Sequence, residues 1–227
     1  MLTCYEAGFA RYSLTANDYT TDSKICQMVF LYMFISVLCI KLLLYYSEKN
    51  SNILLVQKIV GEIMFKEITA RELDENLIKK ISEEWMLITA GDKSDYNMMT
   101  ASWGFLGEMW GSDTAVAVIR PQRYTMEFVE REDYFSLSFY GNNKAIHSIC
   151  GSKSGRDVNK TELAGLTPVF DKAPYFKEAN TVIICKKQYV QRMEKKFFVD
   201  NEPDTKWYSD GDYHYMVFGK IEKVLVK

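Results

Sequence analysis

From Met64 onward, strand-length apolar runs alternate with turn signals, and little helix lies between them. Trp85–Ala90 (WMLITA) is an apolar run stopped by Gly91-Asp92-Lys93-Ser94-Asp95, a strong turn signal. Met98–Gly104, Thr114–Ile119, Tyr134–Tyr140, Thr181–Tyr189 and Tyr213–Val226 read as further strands, the last with a bulge at Gly219. Such a pattern excludes a doubly wound parallel sheet, which needs a helix after each strand. It predicts a mainly β chain, an antiparallel barrel with a few peripheral helices.

The helical signals are short. Thr69-Ala70-Arg71-Glu72 is a capping box, and Leu73, Leu77 and Ile81 follow at helical spacing. They predict a helix over about Ala70–Glu83 that covers one mouth or side of the barrel. Met126–Arg131 is a second short helix, and Lys144–Cys150 a third that Gly151 ends. Ser152–Thr167 reads as a long loop with room for one helical turn, and Pro168–Ala179 as irregular chain. Val190–Phe198 extends or pairs with the strand before it, and Glu202-Pro203-Asp204 is a turn.

Residues 1–63 follow other rules. Ile25–Tyr46 is apolar apart from Gln27, Ser36 and Lys41 and is long enough to span a bilayer as a helix. It is too long for the apolar part of a signal peptide, and a small-residue cleavage site is missing. Three readings stand: a membrane anchor, a helix buried against a partner surface, or an extended reading frame with Met64 as the biological start. The sequence favours the third, because orderly patterning begins at Met64. If the anchor is genuine, Lys49 and Lys58 against Arg11 and Lys24 modestly favour a cytoplasmic domain. The expected organisation is thus an extension, 1–63, and a folded domain, 64–227.

Charge and cysteine usage remove several function classes. A formal net charge of −2 without a long basic run argues against nucleic-acid binding. Cys4, Cys26, Cys39, Cys150 and Cys185 show no CxxC pairing, which argues against a zinc cluster or disulfide scaffold and fits a reducing compartment. Neither GxxxxGK[ST] nor GxGxxG occurs.

Chemistry concentrates in Asn97–Thr125. Thr100, Ala101 and Ser102 are small, so a ligand can approach the backbone, and two of them carry hydroxyls. Gly104, Gly107 and Gly111 read as tight turns. Arg120-Pro121-Gln122-Arg123-Tyr124-Thr125 then brings two guanidinium groups beside a Thr placed to cap a helix, a phosphate-binding corner. Elsewhere acid–base groups are scarce: the two histidines are His147 and His214, with no GxSxG or HExxH. His147 and Cys150, three apart, make a weak metal pair for which packing is the preferred role, and no metal site is expected.

NMMTASWG and RPQRYT, with SFYG (Ser138–Gly141), CGSKSGRD (Cys150–Asp157) and AGLTP (Ala164–Pro168), resemble the flavin reductase-like family of FMN-binding split barrels. The resemblance implies a Greek-key split β-barrel, FMN as cofactor, and a homodimer in the cytoplasm. It places Arg123 and Thr125 on the phosphate with Asn97 helping, and Thr100, Ala101, Ser102 and Trp103 along the flavin ring or ribityl chain. Trp103 or Trp110 stacks or gates. Tyr124 lies within the same corner, and Arg120 serves the cofactor or pairs with a carboxylate. His214 is the catalytic candidate, placed to donate to the flavin or orient a nicotinamide. The Ser152–Thr167 loop lies beside the flavin, shapes the dimer surface, or is an ordinary connection.

Two functions follow from the resemblance. One is an oxidoreductase passing electrons from NAD(P)H or a redox partner to flavin or another acceptor. The other is a flavoredoxin-like carrier without catalysis. A barrel that has lost flavin is disfavoured, since both halves of the site are retained.

Overall fold

A computed structural model describes residues 64–227, so the apolar segment 25–46 and the expectations attached to residues 1–63 lie outside the described residues. Among the described residues no helix is long and apolar enough to cross a membrane.

Among the described residues ten strands form: β1 Lys66–Ile68, β2 Met86–Gly91, β3 Tyr96–Ala101, β4 Gly104–Met109, β5 Ser112–Ile119, β6 Tyr134–Phe139, β7 Pro168–Phe170, β8 Pro174–Phe176, β9 Thr181–Arg192 and β10 Tyr215–Val226. The α-helices of the described residues are α1 Leu77–Lys79, α2 Tyr124–Arg131, α3 Lys144–Ser152, α4 Lys160–Leu163 and α5 Asn201–Trp207. The main sheet runs β3-β2-β6-β9-β10-β5-β4, with β1 also on β10, and every pairing is antiparallel. β7 and β8 make a separate hairpin.

Chain connectivity decides the shape of this sheet. β3 and β4 stand at opposite ends of the path, yet Ser102 and Trp103 alone separate Ala101 from Gly104. Laid flat at about 4.8 Å per strand, the path would hold its two ends roughly 29 Å apart. Three Cα steps reach about 11 Å. The sheet must therefore curl until its ends meet, with the seam between β3 and β4 as the split. The fold is the mainly β Greek-key split barrel that the strand pattern and the resemblance lead one to expect. Gly104 (φ 155°) makes the corner possible, since a Cβ there would lie 2.5 Å from the Val116 carbonyl oxygen.

Both faces of β2, β6 and the first half of β9 are buried. Ile88, Met99, Leu137, Ile183 and Val217 fill the barrel, joined by Met126, Phe128 and Val129 of α2. Their strand neighbours Leu87, Met98, Val182 and Ile184 point outward, under Ile146 and Cys150 of α3 and Phe176 of β8. Each large side chain buried this way contributes about 1.5–3 kcal/mol.

Several sequence expectations are corrected. No continuous helix spans 70–83. Thr69 N–H and Oγ1 both donate to the Glu72 carboxylate at 2.8 Å, but only a 3-10 turn, Ala70–Glu72, follows. Asn76 then caps anew by accepting from Lys79 N–H at 3.1 Å, and α1 runs into a π-turn at Lys80–Glu84. Short polar side chains compete for the backbone here and reset the helix. Gly104 and Gly107 lie in a strand instead of turns: β4 pairs with β5 through the two-residue turn Trp110-Gly111 (φ 54° and 69°), a hairpin geometry that wants positive φ. Pro168–Phe170 and Pro174–Phe176 form a hairpin in chain expected to be irregular. Glu202-Pro203-Asp204 is the first turn of α5, where proline is tolerated and Asp200 caps Glu202 N–H at 2.9 Å.

Trp85 is a strained residue, at φ 70° and ψ 172° between the π-turn and β2. That region costs a non-glycine residue about 1–3 kcal/mol. The Lys144 ammonium, 3.7 Å from the indole centroid and donating to the Glu83 and Glu84 carbonyls, holds it there.

The bulge at Gly219 is present, with the β9–β10 register shifting between Phe218 and Gly219. A Cβ at Gly219 would lie 2.6 Å from Phe135 Cε1 and 2.7 Å from Cys185 Cβ. Gly219→Ala is expected to destabilise the domain by about 1–3 kcal/mol through overpacking. An unchanged urea midpoint would show that the barrel has slack at this point.

Candidate functional site

Between β5 and α2 the chain crosses one end of the barrel as Arg120–Arg123, and a polar cavity of about 120 Å³ opens there. Asn97 and Met99 of β3, Gln122, Arg123, Tyr124 and Thr125 line one side. Cys150 and the loop Ser152–Arg156 line the other, with Lys160 of α4. Four cations, Arg123, Lys153, Arg156 and Lys160, face a lining without a carboxylate. In the first turn of α2 the Met126 N–H donates to the Arg123 carbonyl at 2.8 Å, and the Tyr124 and Thr125 N–H groups at the helix start add to the positive potential. Such a cavity takes an anion.

Its parts fix one another. Asn97 Nδ2 donates to Thr125 Oγ1 at 2.9 Å, and both residues are buried. Thr125 therefore sits inside the first turn of α2 bonded to β3, and the expected cap position belongs to Arg123, whose side chain makes no capping bond. Arg123 instead donates to the Gly151 carbonyl at 3.2 Å. A Cβ at Gly155 would lie 2.2 Å from Asn97 Oδ1 and 3.3 Å from Tyr124, so only glycine lets this loop close over the cavity. Arg156 lies 4.3 Å from the Tyr124 ring centroid and pairs with Glu127. Lys160 is buried, with Nζ on the Met98 carbonyl and 3.4 Å from that of Cys150, and burial lowers its pKa. An ammonium has three donors, which leaves one for a ligand.

The remaining candidates divide. Thr100 Oγ1 donates to the His147 carbonyl at 2.8 Å and is tied to α3, while Ala101 belongs to the barrel core. Ser102 and Trp103 cross the seam and border an apolar groove with Leu77, Ile81 and Phe105. Trp103 packs against Trp207 and His214, with centroids 5.0 and 4.9 Å away. Arg120 is committed to Asp212 and, at 3.0 Å, to the Trp207 carbonyl. Gln122 joins the two regions, since it lines the anion cavity and its Nε2 donates to Asp212 at 2.8 Å. Trp110 stands apart, on the outer surface with Tyr189 and Phe218.

Sequence reasoning set the Ser152–Thr167 loop beside the flavin as one of three readings without naming a site residue in it; Ser152–Arg156 and Lys160 line the cavity. Small, hydroxylated and basic residues in CGSKSGRD carry the same signal as the first stretch. The burial of Lys160 has no such signature.

The reactive side chains are held in their neutral forms. Burial pushes the Cys150 thiol up to about 11, so it is not a thiolate. His147 and His214 both fall to about 4, chiefly through burial, with Lys144 and Arg120 adding to it. Among the described residues no group of three or more His, Cys, Asp or Glu side chains is placed to hold a metal ion.

Residues 78–227 match the model of the flavin reductase like domain. The chain belongs to the flavin reductase-like family. A flavin-linked redox role goes with that membership. No curated protein matches the sequence. Similar solved structures include flavoredoxin from Methanosarcina acetivorans, at 18% identity and TM-score 0.51 over 63% of this chain and 68% of that one. Flavoredoxin of Desulfovibrio vulgaris (Miyazaki F) gives 21% and 0.50 over 72% and 77%. An FMN-binding domain of a flavin reductases-like enzyme from Shewanella baltica gives 14% and 0.50, with the same coverage of 72% and 77%. At these identities the likeness is one of fold.

The two histidines make acid stability a test of the site's burial. Because their folded pKa is about 4 against the usual 6.5, the unfolded chain takes up these protons first. The stability they contribute as buried neutral rings is complete above pH 6.5 and is lost as pH falls from there to about 4. Urea midpoints measured from pH 7 to 4 are expected to fall, with a shallower slope in the His147→Gln/His214→Gln double variant. Equal slopes would mean that neither ring is buried as described.

Proposed function

We propose that the chain is an FMN-binding oxidoreductase that passes electrons from NAD(P)H or a redox partner to flavin or another acceptor. The observation that carries this reading is the four-cation cavity at the start of α2, closed by a loop whose Gly155 a Cβ would block. At about 120 Å³ it is smaller than the roughly 300–1,000 Å³ that a whole drug-sized ligand fills. It fits the phosphate end of a flavin nucleotide and leaves the ring outside. The names of the flavoredoxin and FMN-binding neighbours support FMN over other phosphate ligands.

Arg123, Lys160 and the Tyr124 and Thr125 amides at the start of α2 would hold the phosphate, with Asn97 keeping Thr125 in place. Trp103 and Trp207 would wall the ring side, where His214 is the protic group. Bound FMN supplies the electron-carrying chemistry, so the protein needs to bind, orient and exclude water. The scarcity of ionised acid–base groups at the site fits that division of labour. The buried free thiols Cys150 and Cys185 fit a cytoplasmic setting.

FMN titration followed by the flavin spectrum tests the site. Arg123→Ala is expected to weaken binding by about 1.5–3 kcal/mol, the worth of a charge-assisted hydrogen bond. Unchanged affinity refutes the phosphate assignment, and a protein that takes up no FMN refutes the flavin reading itself. With FMN bound, NADH or NADPH oxidation in the presence of free flavin is expected. Inactivity with both nucleotides makes the protein a flavoredoxin-like carrier.

A homodimer is part of the proposal. Phe105, Trp110, Tyr189 and Phe218 form a contiguous aromatic patch on β4, its turn, β9 and β10, with Trp110 56% exposed. Water-facing aromatic surface of this kind marks an interface. Light scattering should give twice the 26.4 kDa chain mass, reduced to one chain by Trp110→Lys. A monomeric wild type overturns this part.

A further inference from the structure

Two histidines have the same lowered pKa and opposite surroundings. His147 Nε2 is sealed from solvent without a partner, and the ring is wedged between Trp85 and Tyr140. His214 is mostly buried, yet its Nε2 is not among the sealed atoms and has no hydrogen-bond partner among the described residues. Its Nδ1 lies 2.9 Å from the Tyr208 hydroxyl.

That contact selects a tautomer. A neutral imidazole carries one N–H and one acceptor nitrogen, and which is which follows from the bond its other nitrogen makes. The Tyr208 hydroxyl can give its one proton to His214 Nδ1 at 2.9 Å or to Met193 Sδ at 3.4 Å, and in the second case Nδ1–H would donate to the phenol oxygen. A thioether is the weaker acceptor. The phenol is also held in its protonated, donating form, because burial raises its pKa. The proton therefore goes to Nδ1, which leaves the imidazole hydrogen on Nε2.

We infer that Tyr208 is a positioning residue: it fixes His214 as the Nε2–H tautomer, so the Trp103–Trp207 corner offers a hydrogen-bond donor to an acceptor atom on a flat conjugated ring. The ligand half rests on the FMN reading above; the tautomer half does not. Two aromatic rings beside the imidazole provide the stacking surface for such a ring. Arg120 is taken up by Asp212 and the Trp207 carbonyl, so it does not compete as the donor. Gln122 ties Asp212 to the anion cavity and so places this donor at a fixed position relative to the phosphate end. The acceptor is either on the flavin or on the carboxamide of a nicotinamide.

Long-range proton–nitrogen correlation spectra of the ¹⁵N-labelled full chain test both halves. With two histidines in the sequence, the signal missing from His214→Gln identifies this ring. In wild type without ligand, Nε2 is expected in the protonated range and Nδ1 in the acceptor range. Tyr208→Phe is expected to lose that preference and give a mixture of tautomers. A wild-type Nδ1–H tautomer, or an unchanged pattern in Tyr208→Phe, overturns the assignment, and the first holds even if the variant fails to fold. Adding FMN is expected to shift the Nε2 proton if the flavin is the acceptor. A shift that waits for NAD⁺ added to the FMN-loaded protein places the acceptor on the nicotinamide. No shift with either overturns the ligand half, whereas failure to take up FMN is seen separately in the flavin spectrum.

Discussion

Ser102 and Trp103 are the constraint on which the rest depends. A link of two residues cannot join the far ends of a seven-strand sheet unless the sheet closes on itself. Closure turns one face of every strand inward and creates the core of Ile88, Leu137, Ile183 and Val217. It also puts the end of β3 beside the start of β4, so Trp103 emerges at the seam against His214, from the other end of the chain. The residue that completes the topology is thus also a wall of the proposed site.

The anion cavity depends on a second closure, of the Ser152–Arg156 loop onto β3 and α2. Four cations in a small volume repel one another, and the protein offsets this at the edges. Arg123 and Lys160 donate to main-chain carbonyls, and Arg156 pairs with Glu127. Carbonyl partners hold a cation without neutralising it, so the field of the cavity survives for an incoming anion. The lowered pKa of Lys160 measures what its burial costs.

How much of this the sequence discloses differs from element to element. Alternation and turn residues locate β2, β5, β6, β9 and β10 because the apolar runs are long, with both faces buried over β2, β5, β6 and the first half of β9. β4 was hidden by Gly104 and Gly107, which read as breakers; in place Gly104 is required by a sharp corner, while Gly107 lies on an open stretch of strand where a Cβ would meet nothing within 4 Å. The helix expected over 70–83 failed at Asn76, where a side chain three residues from Lys79 outcompeted the continuing spiral. Within the site, Asn97, Arg123, Tyr124 and Thr125 converge as their residue types suggest. Thr100 and Ala101, one residue apart on β3, face opposite sides of the sheet, and Arg120 found Asp212 across 92 residues. A linear pattern says which groups are available, and long-range pairing decides which are left free.

The excursion between β9 and β10 gives the site two different mechanical grades. Residues 193–214 supply His214, Tyr208 and Trp207, and they are fastened to the barrel end by a few contacts: Arg120 and Gln122 on Asp212, Arg120 on the Trp207 carbonyl, Arg192 on the Gly211 carbonyl, and Trp103 against Trp207 and His214. Asn97 and Thr125, by contrast, are buried on β3 and α2 and come apart only with the barrel core. Local opening free energy follows buried contact, so amide protons on the excursion exchange long before those of β2 or β9. The floor of the anion cavity thus belongs to the barrel core, whereas its cations Arg123, Lys153 and Arg156 are exposed and the aromatic end stands on the 193–214 excursion.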